Sequence, residues 1–141
     1  MKNMALLIDT NVVLDFFLDR EPFVGQAEKI IKYCIYGNVR GYLAAHSLLN
    51  IFYIARNQKT VEERNLFLLM LCKKFSVIGV DREMIIDVLR NGNWRDLEDG
   101  LQMQCAAVEN LDYIITRDTR GFEMSKVQVI SPEEVIKMLE G

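Results

Sequence analysis

Three aspartates lie at positions where catalytic side chains would gather if the chain folds around a parallel sheet. Asp9 directly follows an apolar run, residues 5–8. Asp118 comes just after a second apolar run, residues 113–116, and Asp99 lies near the start of an amphipathic segment. Functional crevices in open parallel sheets lie beyond the carboxyl ends of the strands. We therefore expect the three carboxylates to converge from distant parts of the chain.

A pocket with three carboxylates has a limited chemistry. The like charges repel one another and raise one another's pKa values, so the cluster is stable when a cation occupies it. Ligands that are all oxygen favour a hard ion such as Mg²⁺ or Mn²⁺. Such an ion also presents positive charge to a phosphate group. The pattern predicts Mg²⁺ or Mn²⁺ held by Asp9, Asp99 and Asp118.

Each acid also has a purely structural interpretation. Asp9 and Asp118 suit the turns that end strands. Asp96 suits the N-cap of a helix, and Asp99 suits its first turn, where the helix dipole favours a negative charge. For Asp96 the cap and a role at the metal both stay open. Glu98 is expected to lie on the solvated face of the same helix.

Short apolar runs alternate with longer amphipathic segments along the chain. The strands are predicted at residues 5–8, 41–45, 75–80, 113–116 and 127–130. The helices are predicted at residues 12–17, 22–36, 48–57, 60–74, 81–90, 96–110 and from 131 onward. This alternation predicts an α/β fold: a three-layer α/β/α sandwich around a mainly parallel five-stranded sheet. The 141 residues are expected to form one domain.

Composition narrows the function classes. A net charge of −3 argues against a broad basic face that binds nucleic acid, although a metal can supply local positive charge. No apolar run reaches the roughly 18 residues of a membrane span, so we expect no membrane contact and a cytoplasmic location. The single histidine, His46, disfavours a histidine-rich metal site. The three cysteines are expected to be buried small hydrophobes.

Three segments resemble the motifs of PIN domains, in the same order. LLIDTNVVLD, residues 6–15, is similar to the opening strand and loop of that family, an apolar strand followed by Asp-Thr/Ser-Asn. DGLQMQCA, residues 99–106, resembles the third family motif, in which an Asp starts a helix of small residues. IITRD, residues 114–118, followed by Phe122, resembles the fourth. The resemblance covers nearly the whole chain.

The resemblance implies a function as well as a fold. PIN domains include the toxins of VapC-type toxin–antitoxin pairs and other Mg²⁺-dependent ribonucleases, so it implies hydrolysis of RNA phosphodiester bonds. By the same resemblance, Asp9, Asp99 and Asp118 bind the metal. The polar residues expected to support them or to contact substrate are Asn11, Thr10, Thr116 and Arg117. RNA, a small antitoxin protein and a second copy of the chain are the partners it implies.

Two positions depart from the family pattern. Asn50 stands where the family usually has a Glu in the helix after the second strand. Its carbonyl oxygen can still ligate, or Asp96 supplies the missing charge from one turn before Asp99. Otherwise the site is weakened, and the chain is an RNA- or protein-binding module. Gly121 stands where many members of the family have a further Asp. Together the two departures put a second metal ion in doubt more than the first.

Single residues bear on other functional interpretations. Arg117 and Arg120 are the cations nearest in sequence to the predicted crevice and suit contacts with an RNA backbone, and Trp94 suits stacking on a base. A HAD-like phosphatase would need an Asp at position 11, which is Asn. A phosphoacceptor receiver domain would need a Lys after the fifth strand, where Ser131 precedes a proline.

Overall fold

The computed structural model describes residues 3–91 and 96–141. Its strands are β1 (Ala5–Ile8), β2 (Arg40–Ala44), β3 (Ser76–Ile78), β4 (Tyr113–Ile115) and β5 (Val129–Ile130). Its helices are α1 (Thr10–Phe17), α2 (Val24–Ile35), α3 (Ala45–Ile54), α4 (Val61–Lys74), α5 (Arg82–Asn91), α6 (Leu97–Val108) and α7 (Pro132–Glu140). Two short 3₁₀ turns are formed by Ala55–Asn57 and Thr119–Phe122.

The five strands form one sheet in the order β3-β2-β1-β4-β5, and every neighbouring pair is parallel. β1 is the central strand, with Leu7 opposite Tyr42 of β2 on one side and opposite Ile114 of β4 on the other. All four residues of β1 are buried, as a continuous apolar run predicts for a strand covered on both faces. The prediction of an α/β fold with a mainly parallel five-stranded sheet is confirmed.

Helices cover both faces of the sheet, which gives the three predicted layers. Successive side chains of a strand point to opposite faces. Leu6 and Ile8 of β1 belong to a core cluster that includes residues of α1, α2 and α7. Ala5 and Leu7 belong to a second cluster that includes residues of α5 and α6. The sheet therefore separates two cores, and β1 contributes to each.

Local sequence signals account for several helix boundaries. The Thr60 hydroxyl accepts the backbone N–H of Glu63 at 3.1 Å, while the Glu63 carboxylate accepts that of Thr60 at 2.8 Å. This reciprocal capping satisfies two amides that have no partner within the helix. α2 ends at Ile35, and Gly37, two residues later, has a φ of 80° that favours glycine. These boundaries are as predicted.

Several elements differ from their predicted bounds, and β3 has three residues rather than six. α3 begins at Ala45 rather than at residue 48. The sequence did not indicate this start because β2 runs directly into the helix, with no Gly, Pro or capping side chain at the boundary. The earlier start puts Ser47, which is fully buried, in the first turn of the helix. β5 has two residues, not four. Residues 127 and 128, which were predicted to be part of this strand, come before it. The amide of Ile114 nevertheless donates to the Gln128 carbonyl.

The surface corrects one expectation about the cysteines. Cys34 and Cys105 are buried as predicted, but Cys72 is exposed on α4, so the prediction was wrong for that residue.

Across the described ranges, 3–91 and 96–141, none of the helices has the combination of length and apolarity that crossing a bilayer requires.

Candidate metal centre

Asp9 leaves the carboxyl end of the central strand and is buried, with 3% of its surface exposed. Its Oδ1 accepts a hydrogen bond from Gln102 Nε2 at 2.9 Å, and its Oδ2 accepts one from Thr116 Oγ1 at 2.9 Å. Burial raises the pKa of this carboxyl, and the hydrogen bonds oppose that rise. Asp9 is therefore held by side chains from α6 and from the end of β4.

Thr116 connects Asp9 to Asp118. Its hydroxyl donates to Asp9 and accepts the backbone N–H of Asp118 at 3.0 Å. The Asp118 carboxylate in turn accepts the N–H of Gly121 at 3.1 Å and caps the short turn that follows. A Cβ at position 121 would lie 2.5 Å from that carboxylate, so the glycine leaves room for it. The departure at Gly121 thus has a local structural reason.

Asp99 lies in the first turn of α6 and is half-buried. Burial is the main cause that raises the pKa of its carboxyl, to about 7, and negative charge on Asp96, Asp9, Glu98 and Asp118 adds to it. Carboxylates raise one another's pKa values at short range. The acids from β1, from α6 and from the turn after β4 therefore share one electrostatic environment.

Within the described residues, one acidic trio has ligand oxygens that all lie within 4.8 Å of one another: Asp96, Glu98 and Asp99. The predicted trio of Asp9, Asp99 and Asp118 shares only Asp99 with it, and stays a prediction. Asp96 caps α6, since its Oδ1 accepts the N–H of Asp99 at 3.2 Å. Oδ1 of Asp96 therefore has the predicted capping role, and the cap does not use the other carboxylate oxygen.

Glu98 corrects the sequence expectation. It was expected on a solvated helix face, but it is half-buried and its carboxylate accepts a hydrogen bond from the side-chain amide of Asn50. His46, one turn before Asn50 on α3, hydrogen-bonds through Nε2 to the Glu98 carbonyl at 3.0 Å. Because a carbonyl only accepts, Nε2 carries the proton. Two side chains of α3 thus contact the start of α6 at Glu98.

Gln102 is a site residue that the sequence reasoning missed. It is fully buried, its Nε2 donates to Asp9, and its Oε1 has no hydrogen-bond donor among the described residues. The helical spacing was an available signal, because Gln102 lies three residues after Asp99 and so shares its face of α6. An amide oxygen left without a donor beside a buried carboxylate is suited to a cation or a water molecule.

The predicted supporting residues are arranged in different ways. The buried Thr10 hydroxyl donates to Ser47 Oγ at 2.8 Å, which joins α1 to α3. Asn11 is exposed, and its Oδ1 accepts Arg20 Nη1 at 3.3 Å. Neither geometry shows a contact with a substrate, so their predicted roles stay predictions.

Arg117 lies in an internal ion pair. Its Nε and Nη2 donate to the buried Asp15 carboxylate at 2.6 and 3.1 Å, and its guanidinium stacks 3.8 Å from the centre of the Phe23 ring. Its predicted contact with an RNA backbone stays a prediction. Arg120 is exposed on the turn after Asp118. Trp94, the predicted stacking residue, lies outside the described residues.

The donor set fits a hard divalent cation. The acids of the pocket and the amide of Gln102 offer only oxygen atoms, which is what Mg²⁺ and Mn²⁺ prefer. Asp9 and Asp99 both have raised pKa values, so their negative charge is costly without a compensating cation. The unpartnered Oε1 of Gln102 is a further oxygen at the same place.

Known proteins show the same fold. The chain is similar to a toxin–antitoxin complex from Klebsiella pneumoniae, with 20% identity, 90% of this chain and 97% of that chain covered, and a TM-score of 0.65. It is also similar to VapBC from Salmonella typhimurium, solved bound to DNA, with 14% identity, 92% of this chain and 98% of that chain covered, and a TM-score of 0.66. A third similar structure is VapC20 from Mycobacterium tuberculosis, described as a sarcin–ricin loop cleaving toxin. Its identity is 10%, 77% of this chain and 86% of that chain are covered, and the TM-score is 0.62. These likenesses show the fold.

No curated protein is significantly similar to the chain in sequence. A family model described as the PIN domain matches residues 5–120, which include β1 to β4 and every acid of the pocket. The match runs from the strand that carries Asp9 to the turn that follows Asp118. The chain therefore belongs to the PIN domain family.

Proposed function

We propose that the chain is a ribonuclease that depends on Mg²⁺ or Mn²⁺ and hydrolyses RNA phosphodiester bonds. The observation that carries this proposal is a set of hydrogen bonds beyond the carboxyl ends of β1 and β4. Thr116 links Asp9 to the backbone of Asp118, and Gln102 links Asp9 to α6, the helix that carries Asp99. In an open parallel sheet that edge is where ligands bind. Membership of the PIN domain family agrees with this proposal.

Asp9, Asp99 and Asp118 would hold the ion. When bound, it supplies Lewis acidity toward a phosphoryl oxygen and lowers the pKa of water. The chain's own contribution is orientation. Gln102 and Thr116 each donate to one oxygen of Asp9, so the carboxylate is held in one plane. Positioned ligands of this kind determine the geometry of a metal site.

RNA as the substrate rests on two supports. One of the similar structures, VapC20 of Mycobacterium tuberculosis, is described as cleaving the sarcin–ricin loop. In this chain, Arg120 is an exposed cation two residues beyond Asp118, where it suits a phosphate of a bound strand. The overall charge of −3 makes such local contacts the main source of attraction.

We also propose that the chain is the toxin of a toxin–antitoxin pair, that it forms a homodimer and that it acts in the cytoplasm. The similar structures from Klebsiella and Salmonella are toxin–antitoxin assemblies. This chain exposes large apolar side chains on α3 and α4, which suit a protein partner: Leu49, Tyr53, Leu66 and Leu69.

The test is cleavage of a structured RNA by the purified chain with Mg²⁺, Mn²⁺ or EDTA. We expect cleavage with either ion, none with EDTA, and a loss of more than about a hundredfold in Asp9→Asn, since even changes beside a metal ligand cost 10- to 100-fold. Asp19→Asn is the matched control, because Asp19 is exposed and its φ of 53° is one that asparagine tolerates. Cleavage that persists in EDTA contradicts the proposal.

Asn50 favours a second candidate, a PIN domain that has lost catalysis and acts as an RNA- or protein-binding module. The neutral side chain stands where the family usually has a carboxylate. Tight Mn²⁺ binding together with RNA binding, but without RNA cleavage, would support this candidate over the ribonuclease.

A further inference from the structure

The helix that lies against the pocket brings no carboxylate to it. The sequence of α3 is AHSLLNIFYI, which contains no Asp or Glu. What α3 does contribute toward α6 is a pair of polar groups one turn apart, His46 and Asn50. Both groups contact the same residue, Glu98, and residues four apart lie on one face of a helix. On this face of α3, Asn50 therefore holds the Glu98 carboxylate and His46 holds the Glu98 backbone carbonyl.

The Glu98 side chain is held over the pocket. Its carboxylate accepts a hydrogen bond from the side-chain amide of Asn50 on α3. Burial raises the pKa of Glu98, and charge on Asp9 and Asp96 raises it further. An oxygen of Glu98 lies within 4.8 Å of ligand oxygens of both Asp96 and Asp99. Glu98 and Asp99 thus have two acidic neighbours in common, Asp9 and Asp96.

A separate observation indicates that this place takes a ligand. Gln102 lies one turn after Glu98 on α6, is fully buried, and leaves its Oε1 without a donor among the described residues. Its Nε2 donates to the Asp9 carboxylate, so the amide lies against that acid. A buried amide oxygen with no donor costs free energy unless a ligand or water satisfies it.

We propose that Glu98 contributes a carboxylate to the metal centre and that Asn50 positions it. This inference rests on the proposed function, because it assigns a residue to the same centre. The hydrogen bond from Asn50 fixes one oxygen of Glu98, and the other oxygen is left for the cation. Fixing a ligand through a neighbouring donor is a common feature of metal sites.

Two other roles predict different measurements. If Glu98 only joins α3 to α6, its loss lowers stability and leaves the metal affinity unchanged. If Asp96 supplies the negative charge that Asn50 lacks, Asp96→Asn lowers the metal affinity. The asparagine still keeps an oxygen that can cap the Asp99 amide. The variants below separate these roles from the proposed one.

The experiment measures Mn²⁺ affinity by calorimetry and by electron paramagnetic resonance, without RNA, at pH 8, above the pKa of Asp99 of about 7. The variants of the full chain are Glu98→Gln, Asp96→Asn and the exchange Asn50→Glu with Glu98→Gln. Glu109→Gln is the matched control, since it removes the same charge from an exposed Glu at the far end of α6. Thermal melting in EDTA reports folding.

We expect Glu98→Gln to weaken Mn²⁺ binding by about 10- to 100-fold. Glu109→Gln should stay within about threefold of the wild type, which is under 1 kcal/mol. Asp96→Asn should weaken binding by less than Glu98→Gln does. The exchange variant should recover most of the affinity, because the amide and the carboxylate trade places across the same hydrogen bond. Since Asn50 can still donate to a glutamine at 98, Glu98→Gln should fold.

The inference is overturned if the Glu98→Gln variant binds Mn²⁺ as tightly as the Glu109→Gln variant. It is also overturned if the exchange variant folds but binds Mn²⁺ as weakly as the Glu98→Gln variant. In both cases the proposed function stands, provided that Asp9→Asn abolishes binding. A wild type that binds neither Mn²⁺ nor Mg²⁺ contradicts the proposed function itself. The failures of the two proposals are therefore distinguishable.

Discussion

Asp99 is the residue whose protonation the pocket changes most clearly. Its pKa is raised from 3.8 to about 7 by burial and by the charges around it. A raised pKa means that the folded, metal-free protein binds this proton more tightly than the unfolded chain does. The group therefore stabilises the fold when protonated, and that contribution is lost as pH rises from about 4 to about 7.

We expect the unfolding free energy in EDTA to decrease between pH 5 and pH 7 relative to that of Asp99→Asn, because the asparagine has no proton to lose. Urea denaturation at pH 5, 6, 7 and 8 measures the difference. Asp19→Asn, at an exposed position, should show no such trend against the wild type. A difference between wild type and Asp99→Asn that does not vary with pH would contradict the raised pKa.

The sequence identified some of the pocket residues and missed others for a physical reason. Asp9 and Thr116 follow buried strands, and strand ends meet wherever the strands are parallel neighbours. Glu98 and Gln102 depend instead on the rotation of α6 about its axis and on its approach to α3. That rotation is set by packing in the second core cluster, which the sequence of one helix does not contain.

At the scale of elements, one ion pair joins α1 to the segment after β4. Asp15 on α1 is 1% exposed, and Arg117 donates two hydrogen bonds to it while Arg20 lies 3.6 Å away. The guanidinium of Arg117 also stacks on the Phe23 ring, although 29% of the Arg117 side chain is exposed. Removing one partner of a buried pair leaves an uncompensated charge, which costs more than the pair contributes.

We expect Arg117→Ala to destabilise the fold by about 3 kcal/mol, because the Asp15 carboxylate stays buried with only the more distant Arg20. Arg120→Ala, three residues away and exposed, should change stability by less than about 0.5 kcal/mol. Urea denaturation of both variants provides the comparison. Equal stabilities would show that the ion pair is not a structural link.

Helix starts marked by side-chain chemistry were predicted well, and unmarked boundaries were not. The Thr60 and Ser131 capping boxes form as their sequences indicate. α3 has no such mark, since Ala44 ends β2 and Ala45 begins the helix. Two alanines fit either element, so the boundary depends on where the sheet stops pairing.

For the whole molecule, the central strand determines how the layers depend on one another. β1 pairs with β2 and β4 and belongs to both core clusters. β3 and β5 are edge strands of two or three residues. Opening β1 requires both cores to separate, whereas an edge strand opens with less loss of packing.

We expect the amides of β1 to exchange with solvent only through global unfolding, with a free energy equal to that from urea denaturation. The amide of Val77 in β3, whose side chain is exposed, should exchange with a lower free energy. Hydrogen exchange followed by NMR measures both. A lower value for β1 than for global unfolding would show that the two cores open independently.

The distance in sequence between Asp9 and Thr116 has a consequence for synthesis. The two are hydrogen-bonded, yet they are 107 positions apart. A ribosome makes Asp9 among the first residues of this segment and Thr116 long afterwards, together with the strand beside β1. A nascent chain that has reached only residue 110 lacks that neighbour, so its acids cannot assemble. The nuclease that we propose would therefore be harmless to the ribosome that makes it until translation has passed the fourth strand.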